Sequence, residues 1–264
     1  MKAIHRKATF LFLPFAFGFF MFFVFPFFST IYYALINSTV NTQFVGMENF
    51  YNVLTNKYFL LALKNTFVFT LTAVPLLVFL AYIFSSSLLY FLNTKTWFIR
   101  LAFFIPIIFP SASLVLFWKV FFEDYIMLPV YLLFIWKNLG YHIILYLVNM
   151  TRIPGEYEEA AKLEGAGYIA YHYFVVFPLS LPITFFVVVM SIVQSFRIFK
   201  DVFVVHGVYP NERLYFIQNY INNKFMKLSY PDLSAGTIVF VMLLIILFAI
   251  LFYIGKFMYR RVYH

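Results

Sequence analysis

Three carboxylates crowd the start of one polar stretch near the middle of an otherwise apolar chain. Glu156, Glu158 and Glu159 follow Pro154 and Gly155. Carboxylates are favoured at the positive end of a helix dipole, and proline suits the first turn of a helix. The pattern predicts a helix that begins here, and its chemistry would be electrostatic contact with water or with another protein.

Small residues come directly after these acids. Ala160 and Ala161 form helices readily and leave room for another backbone to approach. Gly165 and Gly167 then break the helix and allow left-handed backbone angles. A second short helical run follows, and Pro178 begins the next apolar segment. The stretch 152–177 is therefore predicted to be a helix, a tight turn and a helix that lie outside a lipid bilayer.

The composition indicates a membrane protein. Of the 264 residues, 64% are hydrophobic and only 11% are charged, against about a quarter charged in soluble domains. The mean hydropathy is +0.89. The net charge of +9 comes from basic residues scattered at the ends of apolar runs, so it does not predict a nucleic-acid partner. The chain has no cysteine, which excludes disulfides and thiolate metal sites.

Apolar runs predict an all-α, polytopic membrane bundle with six transmembrane helices. The predicted spans are 10–36, 65–92, 101–122, 128–150, 178–199 and 234–255. Basic residues flank both outer ends, and Lys and Arg are retained preferentially in the cytoplasm. We therefore expect cytoplasmic N and C termini, with the polar stretch between the fourth and fifth spans on the same side.

The polar stretch resembles the EAA loop of ABC importer permeases. Glu159, Ala160, Ala161 and Gly165 occupy the family positions, Pro178 ends the pattern, and a Glu stands where the family usually has Asp. In that family the loop forms coupling helices that dock on a cytoplasmic ATPase. The resemblance assigns this coupling role to Glu159, Ala160, Ala161, Glu164, Gly165 and Ala166.

Other segments resemble sugar-type permeases of the same family, of the maltose and glycerol-3-phosphate type. They are FVGMENFYNVL after the first span, KNTFVFTLTAVPL in the second, FFIPIIFPSASLVLFW in the third and YPNERLYFIQNYINNKF before the sixth. The paired prolines of the third span must distort its helix. That kink either shapes packing or lines a pathway.

The resemblance implies an assembly rather than a free-standing protein. The expected partners are a second permease subunit of different sequence, a dimer of cytoplasmic ABC ATPases and an extracytoplasmic solute-binding protein. The chain has no GxxxxGK[ST] phosphate loop, so ATP and Mg are expected on the ATPase and no cofactor on this chain. The expected location is the bacterial inner (cytoplasmic) membrane, among membrane lipids, and the expected substrate is a carbohydrate.

Polar side chains inside the fourth and fifth spans are the candidates for contacts with a transported solute, since sugars bind to aromatic faces and hydrogen-bonding groups. The candidates are Trp136, Asn138, Tyr141, Ser191, Gln194 and Arg197. Alternatively, Asn138 and Gln194 only bond to neighbouring helices. Lys137 is too deep for easy snorkelling, which favours an inward position.

Two other functions remain open from the sequence. One is a permease of the same fold for a polyamine or an oxyanion, against which the sugar-type segments argue. The other is a polytopic membrane enzyme, which would need acids, His or Ser gathered at one interface. Glu123, Asp124 and His142 do not form such a set.

Overall fold

The computed structural model describes residues 12–91 and 127–263, together with single positions between 103 and 120. The described residues are helical apart from turns, short loops and one isolated antiparallel β-bridge between Ile36 and Phe44. The helices are α1 (Phe12–Ala34), α2 (Glu48–Leu54), α3 (Lys57–Phe91), α4 (Leu128–Met150), α5 (Glu156–Leu163), α6 (Tyr168–Leu179), α7 (Leu181–Ser195), α8 (Ile198–His206), α9 (Ile217–Met226) and α10 (Tyr230–Tyr263). Helices α1 and α6 each contain one π-helical turn, at Phe20–Val24 and His172–Val176.

Within the described residues, five helical segments are long and apolar enough to cross a membrane. They are Phe12–Ala34, Lys57–Leu89, Leu128–Met150, Leu181–His206 and Tyr230–Met258. The predicted third span, 101–122, lies largely outside the described residues. The chain therefore has the all-helical, membrane-type architecture that its apolar runs predict.

Several helices extend beyond the apolar runs that predicted them. Helix α3 begins eight residues before the predicted second span because Asn56 caps it. The Asn56 side-chain oxygen accepts hydrogen bonds from the backbone N–H groups of Tyr58, at 3.0 Å, and Phe59, at 3.1 Å. Hydropathy detects only the part of a helix that lies in lipid, whereas the cap sets where the helix begins.

The chain divides into two compact units. The first comprises Met1–Leu60 and Tyr220–Leu244. In it, the buried Asn49 amide donates hydrogen bonds to the carbonyl oxygens of Ala34, at 3.0 Å, and Ile36, at 2.8 Å. This contact fixes α2 against the end of α1. The phenylalanines of α1 are exposed, which suits a helix that faces lipid.

The second unit comprises Leu61–Asn219 and Ile245–His264. Its core is centred on Phe69 of α3, which is 1% exposed. The Phe69 ring makes edge-to-face contacts with Tyr131, Phe134 and Phe216 at centroid distances of 4.9, 5.3 and 5.6 Å. Helices α3 and α4 are thereby packed together with the segment that precedes α9.

Hydrogen bonds also join α3 to the loop that precedes α9. The Asn65 amide donates to the carbonyl oxygens of Glu212, at 2.7 Å, and Tyr215, at 3.1 Å. The Thr66 hydroxyl accepts from the backbone N–H of Ile217 at 2.9 Å. The first turns of α3 thus hold the loop that leads into α9.

Replacing Phe69 should therefore destabilise the second unit. We expect Phe69→Ala to lower the free energy of unfolding by about 3–5 kcal/mol, because it leaves a cavity among three rings. Phe79 lies on the same helix and is 60% exposed, so Phe79→Ala is the matched control and should change stability little. Unfolding of the purified chain in detergent measures both. Equal losses for the two variants would contradict the central position of Phe69.

Candidate functional site

Helix α5 begins as the acidic pattern predicts. The Gly155 carbonyl accepts hydrogen bonds from the backbone N–H groups of Glu158, at 2.9 Å, and Glu159, at 3.1 Å. Lys162 forms an ion pair with Glu158 one turn earlier, at 2.6 Å. Because both side chains are well exposed, this pair adds little stability.

The helix ends in a Schellman turn, which explains the spacing between the alanines and the first glycine. Gly165 has a φ of +79°, its N–H donates to the Lys162 carbonyl at 3.0 Å, and the Ala166 N–H donates to the Ala161 carbonyl at 2.9 Å. This geometry needs a left-handed residue four positions after Ala161, which glycine supplies without strain. The predicted left-handed turn is confirmed at Gly165.

The prediction of a left-handed backbone conformation is wrong for Gly167. Its φ is −74° and its ψ is 172°, an extended conformation, and it precedes the first turn of α6. The reversal of the chain is complete one residue earlier, so Gly167 only has to lead into the next helix. A side chain at either glycine would meet open space, so the two positions differ in backbone conformation alone.

Helix α6 is attached to α3 through His172. The Tyr82 hydroxyl donates to the His172 carbonyl at 3.2 Å, and the rings of Tyr168 and His172 lie 4.3 Å apart. Burial lowers the pKa of His172, against the opposing effect of the Glu158 carboxylate. The imidazole is therefore neutral at pH 7 and acts here as a packed aromatic group.

The six predicted coupling residues lie together on this helix–turn–helix, which we call the coupling loop (Glu156–Leu179). Glu159, Ala160, Glu164 and Gly165 are exposed, Ala166 is half-buried, and Ala161 is buried beneath the turn. Two large apolar side chains outside this predicted set are also exposed. The exposed fraction is 91% for Leu163 and 81% for Ile169.

Three polar contacts join α4 to α7 and α8. The Lys137 ammonium lies 2.8 Å from an Asp201 carboxylate oxygen, His142 Nε2 lies 2.8 Å from the Ser191 hydroxyl, and the Tyr146 hydroxyl donates to the Thr184 hydroxyl at 3.0 Å. They follow one another along α4, and we call them the polar ladder.

The Asn138 carbonyl fixes the tautomer of His142, the histidine in the middle contact of the ladder. His142 Nδ1 lies 2.7 Å from the Asn138 carbonyl oxygen, which can only accept, so Nδ1 carries the proton. In the neutral ring Nε2 is then an acceptor, and the single proton of the Ser191 hydroxyl is shared between Nε2, at 2.8 Å, and the Val187 carbonyl oxygen, at 2.7 Å. His142 and Ser191 are both fully buried, so this contact is a part of the packing between α4 and α7.

Lys137 points into the protein, where it forms the ion pair with Asp201. This agrees with the inward position predicted from the depth of Lys137 in the span. Its side chain is 22% exposed and that of Asp201 is 7% exposed. Asp201 comes two positions after the end of the predicted fifth span, 178–199. The two residues lie 64 positions apart, and no local pattern links them.

The predicted pathway residues have different surroundings. Asn138 donates to the carbonyl oxygen of Phe134 on its own helix at 2.7 Å, and Tyr141 is 37% exposed. Trp136 packs against the buried Leu114 and Leu133. Ser191 belongs to the polar ladder, whereas the side-chain oxygen of Gln194 is buried and has no hydrogen-bond partner in the described part of the chain. Arg197 is exposed at the break between α7 and α8.

The described residues include no group of three or more His, Asp or Glu that could hold a metal ion. Glu123 and Asp124, which the enzyme alternative would need, lie outside the described residues. His142 is engaged by Asn138 and Ser191.

No protein-family model matches the chain. Curated relatives include a probable ABC transporter permease protein, YurN of Bacillus subtilis, which is 24% identical over 79% of this chain and 82% of its own length. A second is the arabinooligosaccharides transport system permease protein AraP of the same organism, which is 25% identical over 93% of this chain and 86% of its own. The homologues of this chain are permeases of sugar ABC transporters.

Solved structures show the same fold. A bacterial ABC transporter involved in the import of the acidic polysaccharide alginate matches 100% of this chain and 99% of its own, with a TM-score of 0.75 and 16% identity. A bacterial alginate ABC transporter in complex with an alginate pentasaccharide-bound periplasmic protein matches 99% of this chain and 97% of its own, with a TM-score of 0.68 and 19% identity. The curated relatives thus confirm the resemblance to sugar-type permeases that the sequence motifs carry, and the solved structures show that the fold is shared.

The ion pair of the polar ladder predicts an asymmetric response to mutation. Lys137→Gln should lower the free energy of unfolding by about 3 kcal/mol, because it leaves a buried carboxylate without its partner. Asp201→Asn should lower it less, because the remaining ammonium is partly exposed. The double variant should lose less than the sum of the two single losses. Denaturation in detergent measures all three, and strictly additive losses would show that the pair does not interact.

Proposed function

We propose that this chain is a permease subunit of an ATP-driven importer and that it moves a carbohydrate across the bacterial inner membrane. The observation that carries the proposal is the coupling loop, a helix–turn–helix closed by a Schellman turn and inserted between two membrane-type helices of a chain whose homologues are sugar ABC permeases. Six spans with cytoplasmic termini would place this loop in the cytoplasm.

The exposed side of the coupling loop is the proposed docking surface for the ATPase. Ala160 and Gly165 let a partner backbone come close, Leu163 and Ile169 supply apolar contacts, and the acids of α5 supply charge. ATP and Mg would bind to that ATPase. Closure of its dimer would push the loop, which the Schellman turn keeps from bending.

The loop is well connected to the spans that it would move. Helix α5 follows α4 after a short turn, α6 runs almost directly into α7, and the polar ladder ties α4 to α7 and α8. Displacement of the loop would therefore rock α4 and α7 together and expose the solute pathway alternately to the two sides of the membrane.

The solute would pass the polar side chains of α4 and α7. Asn138, Tyr141 and Gln194 retain hydrogen-bonding capacity at membrane depth, and Trp136 offers an aromatic face. Ser191 contributes through His142, and Arg197 lies at the outer end. The likeness to AraP, a permease protein of an arabinooligosaccharides transport system, supports a carbohydrate, and the alginate complex supports delivery by an extracytoplasmic binding protein. A second permease subunit would complete the pathway.

The two loop glycines allow a matched test of coupling. Gly165→Val should strain the turn by about 1–3 kcal/mol, because a β-branched residue is disfavoured at positive φ. Gly167→Val introduces the same side chain at an extended residue with open space around it. In the reconstituted importer, Gly165→Val should reduce carbohydrate uptake and substrate-stimulated ATP hydrolysis together, whereas Gly167→Val should largely preserve both. Near-normal uptake by Gly165→Val would contradict the role of the loop as a lever.

Orientation can be tested separately, since the chain has no cysteine of its own. Cysteines placed at Asn52 and Asn211 should react with a membrane-impermeant maleimide in sealed cells or protoplasts. Cysteines at the exposed Ile169 and Tyr173 should react only after the membrane is opened. Labelling of Ile169→Cys in sealed cells would reverse the proposed orientation.

A further inference from the structure

An apolar groove lies between the start of α7, just after the coupling loop, and the last turns of α10, and Thr184 of the polar ladder is among the residues that line it. Its volume is about 440 Å³, and its walls include Leu181 and Val188 of α7 and Leu251 and Ile254 of α10. Both walls belong to the second unit. The groove thus lies between two helices long and apolar enough to cross a membrane.

Gly255 shapes the floor of this groove. A Cβ atom at this position would lie 2.8 Å from the ring of Phe185, which is closer than carbon atoms pack. The absence of a side chain therefore lets the aromatic ring lie against the backbone of α10. A larger residue would push Phe185 away and change the shape of the groove.

One end of the groove carries positive charge. Lys256 is the one charged side chain among the described residues that line it, and it lies two positions before the end of the apolar segment Tyr230–Met258. Arg260 is exposed one turn further along the same face of α10. No Asp or Glu occurs between Asp232 and Arg261, so no acid of this segment opposes the two cations.

We propose that this groove binds an anionic phospholipid. The acyl chain lies along the apolar walls, and the phosphate lies beside Lys256 with Arg260 next to it. Because Lys256 lies near the end of a membrane-type helix, its ammonium group lies at the depth of the lipid headgroups. Basic residues at that depth attract anionic lipids. The positive charge at the end of the groove thus complements the phosphate of a phospholipid headgroup, and the apolar walls of the groove complement the acyl chain. None of the candidate residues for the solute pathway is among the described residues that line this groove.

Native mass spectrometry of the full chain in detergent tests the site with two lipids of identical acyl chains. Dioleoyl phosphatidylglycerol should bind more tightly than zwitterionic dioleoyl phosphatidylcholine. Lys256→Gln should weaken phosphatidylglycerol binding about fivefold and leave phosphatidylcholine binding unchanged. Lys64→Gln is the matched control, because Lys64 is an exposed lysine on another membrane-type helix, and it should have no effect.

A steric variant separates the groove from surface charge in general. Ile254 is 46% exposed and lines the groove, so Ile254→Trp should obstruct it, reduce binding of both lipids and keep the chain folded. Inorganic phosphate at the same concentration should not displace the lipid, because it lacks the tail.

Three results would overturn the proposal. They are equal binding of the two lipids to the unmodified chain, equal effects of Lys256→Gln and Lys64→Gln, and unchanged phosphatidylglycerol binding in Ile254→Trp. If Ile254→Trp instead prevents association with the second permease subunit while lipid binding is unchanged, the groove is a subunit interface.

Discussion

The bilayer offers no water to polar groups, so a polar side chain inside a span must find its partner in the protein. The polar ladder meets this constraint. Lys137 is neutralised by Asp201, His142 is held between the Asn138 carbonyl and Ser191, and Tyr146 bonds to Thr184. Apolar side chains pack as well against lipid as against each other, so these contacts specify which helices become neighbours.

The consequence is that α4 and α7, the helices on either side of the coupling loop, are joined to each other as well as to the loop. The Schellman turn at Gly165 makes the loop rigid, and the contact between Tyr82 and His172 anchors its second helix to α3. A push on the exposed residues of the loop would therefore reach the spans as a displacement of packed helices. This connection is the physical basis of the transport mechanism proposed for the chain.

Local chemistry could be predicted from the sequence, and long-range partners could not. The positive φ of Gly165 follows from a glycine that ends a short acidic helix, and the bounds of the fourth span follow from the ends of an apolar run. The pairing of Lys137 with Asp201 and the use of Ser191 by His142 depend on the packing of α4 against α7 and α8, which no spacing reveals. The start of α3 at Lys57 was not predicted, because the capping residue Asn56 is polar and does not belong to an apolar run.

The sequence motifs also include residues whose structural role only the fold reveals. Asn65 and Thr66 belong to a segment that resembles the family pattern, and the structure shows that they hold the loop before α9. By contrast, the roles of Asn138 and Gln194 in solute binding stay predictions, since their positions are compatible with both packing and transport.

The central claim is that α4 and α7 move as one body when the ATPase acts on the loop. Spin labels at Val148 and Phe186, which are exposed on these two helices, would measure this by pulsed electron paramagnetic resonance in the reconstituted importer. The account predicts one unchanged distance distribution in the nucleotide-free and ATP-bound states, while the distance from Val148 to a label on the second permease subunit changes. A change between Val148 and Phe186 on ATP binding would contradict it.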